Sequence, residues 1–165
     1  MKKFLFVILA LIIVTGCSFK KPESIVEYEE SKEPFTIQVY YSKTCPICKQ
    51  LRQDYIERLK EEFNEQITVE EYDIDDEGIV DQYDSYMGLY NEETQEWEIE
   101  GKLQDVEQEY AAYNRYIPFV VVGDMYAFIG YTESLLEAYV QDVHLALQNR
   151  PLATGDVSIG RWTFK

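Results

Sequence analysis

An α/β fold is predicted by three stretches of the sequence. Thr36–Tyr41 is a β-rich run that passes through Ser-Lys-Thr into Cys45-Pro-Ile-Cys48 and then directly into a helical pattern. A second β-rich run, Ile67–Ile74, follows that helix. Later, Phe119-Val-Val-Val122 and Met125–Ile129 flank a Gly-Asp pair, which is a hairpin signal, before a last helical stripe. At 165 residues with 46% hydrophobic content, the chain suits one domain with short appendages.

Taken in order, residues 1–16 form a leader. Lys2-Lys3 supply positive charge, Phe4–Val14 an apolar core, and Val14-Thr15-Gly16 a small-residue approach to Cys17. Eleven apolar residues are too few to cross a bilayer comfortably. The run Val-Thr-Gly-Cys resembles the lipobox of bacterial lipoproteins, which implies that Cys17 is acylated, begins the mature chain and holds it on the extracytoplasmic face of a membrane. Residues 17–34 then read as a polar tether closed by Pro34, reaching roughly 20–25 Å as a coil. Lys20-Lys21 stand where lipid phosphates are within reach.

The net charge is −16, and loss of the leader removes two lysines and no acid. Nucleic acid is therefore an unsuitable partner. With Cys17 acylated, Cys45 and Cys48 are left to cycle with each other in an oxidising compartment.

From Pro46 onward, Ile47, Leu51, Tyr55, Leu59 and Phe63 recur at four-residue steps, and Pro46 fits the first helical position. Ile79, Tyr83, Met87 and Tyr90 repeat the helical spacing, Asn91–Glu96 is a polar turn, Trp97 and Ile99 alternate with glutamates, and Gly101 breaks the run. A further stripe appears at Leu103, Val106, Tyr110 and Tyr113, its tyrosines expected to be packing groups. Thr132 is a candidate cap for a final helix carrying Leu135, Leu136, Tyr139, Val143 and Leu147. The tail, 150–165, offers Gly155, Gly160 and Trp162 without declaring a role.

The order strand, Cys-x-x-Cys, helix, strand, helical segment, Ile117-Pro118, hairpin, glycine, helix resembles the thioredoxin superfamily over about residues 35–149. The resemblance implies a central four-stranded mixed sheet flanked by helices, with a helical insertion at about 77–101 before a cis-proline at Pro118. It also implies a thiol-disulfide oxidoreductase, reductase or isomerase, acting on exported proteins, with Cys45 as nucleophile and Cys48 as resolving thiol. A helix N-terminus independently favours a Cys45 thiolate. The backbone of Ile117 and the neighbouring Thr44 would meet the substrate chain. No cofactor is expected, a monomer is expected, and a membrane electron donor is a candidate partner.

Three departures bear on the chemistry. Where thioredoxins carry a buried aspartate, six residues before the first cysteine, this chain has Val39, and the tryptophan before that cysteine is Thr44. Opposite the missing aspartate stands Glu71, in strand phase with Ile67 and Val69. It is either an inward-pointing proton relay for Cys48, its pKa raised by burial, or a solvated sheet-edge glutamate. Lys43 offers positive potential near Cys45, or is solvated. No metal site is expected: zinc needs four ligands, and beyond the dithiol there is only His144, which fits the edge of the core better than a copper set. A non-enzymatic accessory reading also stands, as a binding module for exported peptides or a membrane complex, because some bacteriocin export accessory proteins carry a similar Cys-Pro-x-Cys. The 77–101 insertion is the candidate for partner specificity, or else a packed embellishment.

Overall fold

A computed structural model describes residues 33–103, 106, 115–152 and 160–164. Strand β1 (Phe35–Tyr41) pairs in parallel with β2 (Ile67–Asp73) and antiparallel with β5 (Phe119–Val122). The latter continues into β6 (Tyr126–Ile129) and β7 (Arg161–Thr163), giving the order β2-β1-β5-β6-β7. The sheet is mixed as expected, but it has five strands, not four. The extra strand comes from the tail, whose Trp162 sits opposite Ala127 and is 2% exposed. An aromatic needs a partner surface to bury itself, and the edge of β6 supplies one.

The β5–β6 connection is the hairpin the Gly-Asp pair predicts. Gly123 and Asp124 both have positive φ, as the central residues of a type I′ turn require, and the Met125 N–H donates to the Val122 carbonyl at 2.9 Å.

On one face of the sheet, the helical path from Cys45 runs through α1 (Pro46–Leu51), a π-helical stretch Arg52–Ile56, and α2 (Glu57–Phe63). A strict four-residue repeat drifts around an α-helix of 3.6 residues per turn, and the wider π turn takes up that drift. Leu51, Tyr55, Leu59 and Phe63 are accordingly all buried, against Ile37, Val39, Val120 and Phe128 of the sheet. The apolar side of α4 (Leu136–Leu147) completes this layer with Tyr139, Val140, Val143 and Leu147. Thr132 does not cap α4: its hydroxyl meets that of Ser134 at 2.9 Å, and a 3-10 turn, Glu133–Leu135, precedes the helix.

On the other face, Tyr40, Phe119, Val121, Ala127, Ile129 and Trp162 pack against α3 (Ile79–Met87) through Tyr83, Tyr86 and Met87. The insertion is not wholly helical. After α3 it forms a hairpin of β3 (Leu89–Asn91) and β4 (Glu96–Ile99), with Tyr90 edge-on to Trp97. The chain returns against its own helix at Gly101, where a Cβ would run into the Tyr86 carbonyl. Leu103 lies in an isolated antiparallel bridge with Phe164, so the expected helical stripe does not begin there; Tyr110 and Tyr113 lie outside the described residues, as do Cys17 and the tether up to residue 32.

Candidate functional site

The parallel β1 ends at the same edge as β2, and the turn after it delivers Cys45 to the start of α1. Cys45 has extended backbone and is the N-cap: its Sγ accepts the Cys48 N–H at 3.2 Å, while its carbonyl accepts the Lys49 N–H at 3.2 Å. Pro46 occupies the first helical position, where no N–H is required. The two cysteines form a disulfide with a Cα–Cα separation of 5.3 Å. Their exposures differ. Cys45 is half-buried, whereas Cys48, one turn in, is 1% exposed.

The turn ahead of Cys45 is tied down by the loop after β2. The Ser42 hydroxyl donates to Asp75 at 3.0 Å, the Thr44 N–H donates to the Ser42 hydroxyl at 3.3 Å, and the Cys45 N–H donates to the Ser42 carbonyl at 3.1 Å. Thr44 itself is exposed. Lys43 is neither aimed at Cys45 nor merely solvated: its Nζ pairs with the buried Asp73 carboxylate at 2.8 Å. That hydrogen bond holds Asp73 below the usual carboxylate range and raises Lys43.

The Ile117–Pro118 bond is cis, as the resemblance implies. Tyr40 opposite Phe119 is the last pair of this register, so Pro118 precedes β5 at the end of the sheet where β1 leads into the turn that carries the dithiol. Pro118 is buried, and its carbonyl accepts the Gly130 N–H at 2.8 Å; Ile117 is half-buried. Two large apolar side chains flank this end of the sheet in the open, Ile47 on α1 and Tyr116 just before the cis bond, 47% and 45% exposed.

Glu71 requires a correction. The register does set it opposite Val39, the position of the missing aspartate. Yet β2 is an edge strand, Glu71 is exposed, and its carboxylate is paired with the Arg52 guanidinium on the π-helical stretch. On an edge strand, with its carboxylate engaged by Arg52, Glu71 is the sheet-edge glutamate and not a buried acid beneath the dithiol. His144 is likewise kept from the dithiol. It bonds Glu62 at 2.7 Å and lies edge-on to Phe63, near the far end of a helical path that begins at Cys45, about 25 Å along the axis. Among the described residues no group of three His, Cys, Asp or Glu side chains is placed to hold a metal ion.

Sequence reasoning missed Tyr83, Asp84 and Arg115. The Tyr83 hydroxyl donates to the Tyr116 carbonyl at 2.9 Å, and Arg115 makes a two-pronged ion pair with Asp84 at 3.0 and 2.7 Å. Pairs more than 30 residues apart leave no local pattern; the sole signal was Asp84, an acid inside an apolar helical stripe.

Compared with known proteins, residues 1–18 match the family described as prokaryotic membrane lipoprotein lipid attachment site, a span that includes Cys17. No curated protein and no solved structure matches the chain. No helix among the described residues is long and apolar enough to cross a membrane. The chain thus carries the attachment site of a membrane lipoprotein, ahead of a mixed α/β domain with a paired dithiol at a helix start.

Proposed function

We propose that this lipoprotein is an extracytoplasmic thiol-disulfide oxidoreductase, a reductase or isomerase of exported proteins, with a thioredoxin-like fold. The observation that carries the reading is the asymmetry of the dithiol: Cys45 is accessible at the helix N-cap, Cys48 is sealed one turn behind it. Unpaired N–H groups and the helix dipole favour negative charge on Cys45, which makes it the attacking thiolate.

In the reducing direction the Cys45 thiolate attacks one sulfur of a substrate disulfide. A mixed disulfide forms and the first substrate thiolate leaves. Cys48, after losing its proton to solvent or to that thiolate, attacks the Cys45 sulfur; the second substrate thiolate leaves and the Cys45–Cys48 disulfide forms. Two electrons pass to the substrate, and a dithiol donor must later return them. The cis Ile117-Pro118 segment, at the same end of the sheet as the dithiol, offers backbone to an extended substrate chain, and exposed Ile47 and Tyr116 suit a protein rather than a small thiol.

The test is insulin reduction by the full-length protein in detergent, with Cys45→Ser and Cys48→Ser alongside. Turnover by the wild type and its loss in both variants supports the reading. Function in the parent cell that survives both substitutions overturns it in favour of a non-enzymatic binding module.

A further inference from the structure

The geometry points to Tyr83 and Asp84 of α3 as positioning residues that set protein-substrate specificity, by clamping the backbone that leads into the cis-proline. This deepens the oxidoreductase reading and rests on it.

Two independent bonds from one helix converge on consecutive residues. The Tyr83 hydroxyl takes the Tyr116 carbonyl, and the Asp84 carboxylate takes both arms of Arg115. Both donors of position are themselves anchored: Tyr83 is 2% exposed and packed edge-on to Phe119 and Tyr40, and Asp84 is 3% exposed. Arg115 has a left-handed backbone, φ 55°, which its ion pair to Asp84 accompanies. The next residues, Tyr116 and Ile117, are the exposed aromatic and the substrate-facing backbone of the proposed site.

The insertion therefore bears on the site through its helix. A charge-assisted, two-pronged pair is stronger and more directional than a neutral bond, so Asp84 fixes the angle of the loop as well as its distance. A small disulfide needs only the dithiol. An extended protein chain needs the loop in register as well, so the clamp distinguishes the two substrates.

Tyr83→Phe deletes one hydroxyl and keeps the ring; Asp84→Asn keeps the shape and loses the charge. For both, KM for a protein disulfide should rise about tenfold at unchanged kcat, while the rate with a small aromatic disulfide stays at the wild-type value. Asp84→Glu, which restores the charge, should recover part of the KM. Amide hydrogen exchange at Tyr116 and Ile117 should rise in Tyr83→Phe and Asp84→Asn with β1 protection unchanged. A merely structural role would slow both substrates together. Equal losses on the two substrates, or no change in either exchange or KM, would overturn the inference. Loosened exchange in a protein whose wild type reduces neither substrate would instead overturn the oxidoreductase reading, and the specificity role with it.

Discussion

The two faces of the sheet are built on different principles. The face under the dithiol helix interlocks aliphatic side chains, Leu51, Leu59, Val143 and Ile37 at close to zero exposure, with a cluster of rings in which Phe128 stacks on Tyr139 and Tyr55 meets both edge-on. The face under α3 is aromatic and wired by polar groups: Tyr40 packs with Tyr72, Tyr83, Tyr86 and Phe119, and Tyr86 donates to Gln38 at 2.8 Å. Burial pushes the Tyr86 hydroxyl up to about 12. Apolar packing holds the cysteines in place, and directed bonds hold the loop that faces them. Both faces contribute stability by burial, and the polar bonds of the second also set orientation.

The largest effect should come from cutting the apolar face. Leu59→Ala deletes a fully buried side chain and should cost about 2–5 kcal/mol in chemical denaturation, lowering dithiol exchange with every substrate only through loss of folded protein. A cost under 1 kcal/mol would mean the layer is less tightly packed than described. Next, Trp162→Ala should cost about 3 kcal/mol, because the tail strand buries that ring against the aromatic face. If the thermal midpoint did not move, β7 would be an ornament and the sheet effectively four-stranded.

A subtler effect concerns the pair that fastens β7 to α4. Asp142 and Arg161 are buried and ion-paired, and burial pushes the Asp142 carboxyl up to about 6 against the pull of Arg161. The folded state then holds that proton more tightly than the unfolded chain. The group's contribution to stability is complete below the ordinary aspartate range and is lost as pH rises through about 6. Thermal melts of Asp142→Asn should lack this slope; an identical slope would mean that Arg161 keeps the carboxylate charged throughout.

The apolar face was legible in the sequence because a period of about four residues and a run of valines are local signals. The cysteines, Pro46 and the Gly123 turn were legible for the same reason, each tied to one backbone requirement, whereas the cis bond before Pro118 was implied only by the resemblance. What was not legible depends on distance along the chain. Trp162 gave no sign of an edge strand because its partner, Ala127, lies 35 positions earlier. Glu71 has the phase of Ile67, yet phase says which face a side chain takes and not how far a covering helix reaches; Arg52 meets it on the edge strand. The smallest effect follows from that correction. Glu71→Gln should leave the rate of disulfide exchange and its pH profile unchanged, as stopped-flow mixing over a pH series would record.

The central claim is that Cys45 attacks and Cys48 resolves. Its most direct measurement is covalent trapping in the parent cell, with the full-length lipoprotein carrying Cys48→Ala or Cys45→Ala and mixed disulfides separated without reductant. Cys48→Ala should accumulate adducts with exported proteins that dissolve on adding dithiothreitol, and Cys45→Ala should accumulate none. Equal trapping by the two variants, or adducts on Cys48 alone, would contradict the account.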